Sequence, residues 1–61
     1  MADNELIAKM IKFRARENIS QLKLAELCNV TQQTICNVEN GTQDPSRLTR
    51  QKILNIVEKE N

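Results

Sequence analysis

Between Ser20 and Gly41 the chain places helix-starting and helix-stopping residues so close together that only two brief helices and a tight break can fit. Ser20 and Thr31 have side-chain oxygens that can accept from the free N–H groups of a helix start. Asn29 and Gly41 tolerate the left-handed backbone that closes a helix. The spacing therefore predicts helices over Gln21 to Cys28 and Gln32 to Asn40. Leu24, Ala25 and Cys28 face inward from the earlier one, Ile35 and Val38 from the later, and Val30 plugs the space between them.

The flanks extend the same pattern. A first helix runs from about Asn4 to Glu17, with Asp3 as N-cap and Glu5 where the helix dipole favours an acid. Leu6, Met10 and Phe13 form its core stripe, and Asn18 breaks it. Residues 42–49 read as a polar connection around Pro45. Thr49 is then expected to cap a fourth helix from Arg50 to about Glu60, with Ile53, Ile56 and Val57 inward and the tail from Glu58 solvated. One Gly, one Pro and a single aromatic, Phe13, supply neither the turns nor the strands of a β domain. The expected fold class is all-α, one compact four-helix domain over residues 1–61 with a helix-turn-helix unit at about 21–40. At 61 residues the chain is near the lower limit for folding without metals or disulfides.

Composition removes several function classes. No apolar run reaches the roughly 18 residues of a membrane span, and the N-terminus lacks a signal-peptide pattern, so a cytoplasmic location is expected. Cys28 and Cys36 are too few and too badly spaced for a zinc site in a chain without His. They read as free thiols, Cys28 in the core and Cys36 on the surface, since consecutive helices would point them apart. No His and no nucleophile–base pairing means no enzyme, no cofactor and no small-molecule substrate.

The exposed face of the third helix remains. Gln32, Gln33 and Asn37 fall on its outer side. A carboxamide both donates and accepts, so it can grip adenine N6 and N7 together in the major groove of DNA. Helix starts at Gln21 and Gln32 offer backbone N–H groups to phosphates, and Arg47 and Arg50 add charge beyond the Pro45 loop. A net charge of +1 puts most of the weight on these uncharged contacts.

Taken together, Ser20-Gln21, Leu24-Ala25-Glu26, the run from Asn29 to Ile35, Val38-Glu39-Asn40-Gly41, Pro45-Ser46 and Ile53 resemble the phage-repressor and Cro family, the lambda-repressor-like helix-turn-helix DNA-binding proteins. The resemblance covers about residues 6 to 57. It implies base contacts by Gln32, Gln33 and Asn37. It also implies backbone contacts by Gln21, Asn40 and the loop after the third helix, to which Thr31, Thr42, Arg47 and Arg50 are joined here. Arg14 and Glu39 occupy the places of a structural ion pair. The implied partner is a double-stranded DNA operator, the implied role a transcriptional regulator.

The departures are Asn18 and Asn29 where many relatives have Gly, a less basic loop at Thr42-Gln43-Asp44, and no sequence for the family's fifth helix. Ile7, Ile11, Leu22, Leu27 and Leu54 exceed the family core. They either close it or form an apolar patch for a homodimer. An alternative reading is a protein-binding helix-turn-helix module, such as an antirepressor or partner subunit.

Overall fold

The computed structural model describes residues 3–58 and contains α1 (Asn4–Glu17), α2 (Gln21–Cys28), α3 (Gln32–Asn40) and α4 (Arg47–Val57), with no strand among the described residues. Each helix starts at a side chain that accepts from the backbone N–H three residues on. Asp3 accepts from Leu6, Ser20 from Lys23 and Thr31 from Thr34, each at 3.1 Å, and Ser46 accepts from Thr49 at 3.2 Å. Three helices end on left-handed residues, Asn18 (φ 57), Asn29 (φ 59) and Gly41 (φ 77). At each stop two backbone N–H groups return to the carbonyls of the last turn, which satisfies acceptors that would otherwise be orphaned. The first three helices thus have the bounds that their caps predict.

The fourth does not. Ser46, not Thr49, is the cap, and Thr49 lies three residues inside the helix. Both hydroxyls can cap a start, but the earlier one adds most of a turn of helix, beginning with Arg50 N–H to the Ser46 carbonyl at 2.8 Å. Arg47 is therefore the first helical residue and Arg50 lies a turn further in, rather than at the start. The helix ends at Val57; residues 59 and 60, where the expectation carried it, lie outside the described residues.

Leu6, Met10, Leu24, Ala25, Cys28, Ile35, Val38, Ile53 and Val57 form one buried cluster drawn from all four helices. Phe13 and Ile56, expected inside, pack against its edge and are only partly buried. Ile7 and Leu54 help close the core, whereas Ile11, Leu22 and Leu27 are exposed, joined by Leu48 at 66%. Burial raises the Cys28 thiol to about 11, so it behaves as a small apolar side chain; both cysteines are free.

Candidate nucleic-acid interface

Glu39, near the C-terminal end of α3, holds that helix in place. Its side chain is only 5% exposed and accepts from Arg14 Nε at 3.0 Å and Arg14 Nη2 at 2.9 Å. This two-point pairing of a planar guanidinium with a carboxylate fixes orientation as well as distance. Glu39 Oε1 also accepts from Gln21 Nε2 at 3.0 Å, and Arg14 Nη1 reaches the Ile19 carbonyl at 3.4 Å. One carboxylate thus ties α3 to α1 and to the start of α2. One N–H of the Gln21 amide is engaged there, which leaves its second N–H, its carbonyl and its backbone N–H for any other contact.

Around α3 from Glu39, Asn37 lies about 160° away and Gln33 about 120°, whereas Gln32 lies within about 20° of it, nearer the start of the helix; Gln32 and Gln33 are exposed and Asn37 is partly exposed. They do not form one tight cluster. Asn37 lies about 40° around the helix from Gln33 but about 140° from Gln32. Accordingly Gln33 Nε2 donates to Asn37 Oδ1 at 2.9 Å, while Gln32 stands apart, free of side-chain hydrogen bonds among the described residues. Thr31 shares a hydrogen between hydroxyls with Thr34 at 2.8 Å, and Asn40 Nδ2 donates to Cys36 Sγ at 3.4 Å.

Gln43 joins this face unforeseen. Asn37 Nδ2 donates to Gln43 Oε1 at 3.0 Å, extending the amide pair to three. The backbone brings it there: Thr42 N–H and Thr42 Oγ1 donate to the Asn37 carbonyl at 3.0 Å and 3.2 Å, just past the left-handed Gly41. A stop of that type folds the chain back over the last turn, so Gly41 was the sequence signal for where Gln43 would go.

Four of the eight described cations, Lys9, Arg14, Arg16 and Arg50, are held in ion pairs. Arg50 pairs with Asp3 at the start of α1, so it is not a free arginine beside α3. Lys9 pairs with Glu58, and Arg16 lies 5.4 Å from the Phe13 ring centre. These last groups line a concavity of about 390 Å³ between α1 and the end of α4, with Lys12 and Val57. Arg47 is exposed in the first turn of α4. The α3 face is thus a neutral, amide-bearing surface.

The helix-turn-helix family profile matches residues 10–58, and the chain belongs to that family. Such domains are DNA-binding and regulatory, and not normally catalytic. Comparison with characterised proteins and with solved structures gives no match. No described helix is long and apolar enough to cross a membrane.

Proposed function

We propose that this helix-turn-helix protein is a sequence-specific transcriptional regulator of the repressor and Cro kind, which lays α3 in the major groove of an operator. Gln32, Gln33 and Asn37 read base edges. Gln21, Thr31, Asn40, Thr42 and Arg47 hold the sugar-phosphate backbone, whereas Arg50 stays with Asp3 and adds no contact. The observation that carries this reading is the exposed amides of α3, a helix that the Arg14–Glu39 pair clamps to α1. One well-placed amide–adenine contact is worth about 1–3 kcal/mol of discrimination. The protein acts in the bacterial cytoplasm as a homodimer on a two-fold site, which doubles the few phosphate contacts of each copy.

Four exposed large apolar side chains, Ile11, Leu22, Leu27 and Leu48, favour the second reading, a protein-binding module. Salt separates the two. Affinity for duplex DNA falls with a slope of about −0.9 per neutralised phosphate in a log–log plot, whereas apolar partner binding barely responds. Measured affinity for a mixed-sequence duplex that does not change with salt, or no binding at low salt, rejects the DNA-binding reading.

A further inference from the structure

We infer that Gln43 is a positioning residue for base reading, setting through Asn37 which groups Gln33 presents to DNA; this rests on the function proposed above. The basis is the hydrogen-bonded series Gln33 Nε2 to Asn37 Oδ1 at 2.9 Å and Asn37 Nδ2 to Gln43 Oε1 at 3.0 Å. Each carboxamide donates at one end and accepts at the other. Turning the middle one alone would set nitrogen against nitrogen and oxygen against oxygen. The three therefore share one sense and reverse only together.

The two senses present different chemistry. In the observed one, Gln33 keeps its carbonyl and one N–H free, the pair that matches adenine N6 and N7. In the reverse one, Asn37 occupies the Gln33 carbonyl and Gln33 offers two N–H donors, which match guanine O6 and N7. The far end selects between them. In the observed sense the Asn37 bond takes Gln43 Oε1 and leaves Nε2, a donor suited to a phosphate oxygen, so backbone contact at one end and adenine at the other favour the same arrangement. Gln43 is on an exposed loop, yet the two bonds from Thr42 to the Asn37 carbonyl hold its backbone against α3.

The test uses the full chain and the site that the wild type selects from random duplexes. Affinities are measured for that site and for its single base-pair variants, with Gln33→Ala marking the pair that Gln33 reads. Gln43→Met keeps the length of the side chain but cannot accept from Asn37. It lowers preference at the Gln33 pair about three- to ten-fold, with thermal unfolding unchanged. Gln43→Glu still accepts from Asn37, so it binds every sequence more weakly through its charge but keeps the wild-type preference. A wild-type profile in Gln43→Met overturns the inference, as does equal flattening by Gln43→Glu. A wild type with no preferred site overturns the proposed function and this inference with it.

Discussion

Replacing Glu39 with Gln probes whether α3 is held as described. The substitution keeps the size of the side chain but turns one accepting oxygen into an NH2 group that faces the donors of Arg14. At least one of the charge-assisted bonds at 2.9 Å and 3.0 Å is lost, and the ion pair with them. Breaking one side of a fully buried pair costs about 3–5 kcal/mol. Arg14 is 25% exposed and can recover some hydration, so the cost falls to or below the bottom of that range, about 2–3 kcal/mol. A domain of this size has only about 3–5 kcal/mol to lose. Urea unfolding followed by circular dichroism therefore shows a large drop in midpoint, and the folded variant loses sequence preference as α3 loosens. A cycle with Arg14→Met isolates the pair, with an expected coupling of about 1.5 kcal/mol or more. A Glu39→Gln cost below about 0.5 kcal/mol, or no coupling, refutes the clamp.

Other outcomes follow from single residues. Arg47→Ala weakens binding to all sequences alike and reduces the salt slope by about 1, whereas Arg50→Ala leaves the slope unchanged and costs at most about 1 kcal/mol of stability by freeing Asp3. Asn29→Gly relieves a left-handed non-glycine residue at φ 59 and raises the unfolding temperature by a few degrees, read by calorimetry. A thiol reagent at about pH 8 modifies Cys36 and spares Cys28 until the chain unfolds. Because the buried Cys28 thiol ionises at about 11 against 9.0 ordinarily, the unfolded chain ionises first. Stability present below pH 9.0 therefore declines as pH rises toward about 11, which denaturation series at several pH values would show.

Legibility in the sequence followed the range of the interaction. Asp3, Ser20, Thr31, Asn18, Asn29 and Gly41 act on backbone groups within a turn, so the bounds of α1, α2 and α3 could be read directly. At α4 the same local logic offered two hydroxyls, Ser46 and Thr49, and the choice moved Arg50 away from the helix start and onto Asp3. Leu48, inside the expected connection, stands instead in the first turn of α4, where it is exposed. The Arg14–Glu39 contact joins residues far apart in the chain, and no local pattern announces it; only the family resemblance pointed there. Gln43 is intermediate. Its place beside Asn37 follows from the Gly41 stop, but its hydrogen bond depends on side-chain geometry that spacing does not specify.

Selection of duplexes from a random pool at low salt tests most directly whether the neutral outer face of α3 recognises bases. Base reading by α3 of a dimer gives an enriched motif with two-fold symmetry and A·T pairs where Gln32 or Gln33 makes contact. A bound pool as varied as the input would contradict it.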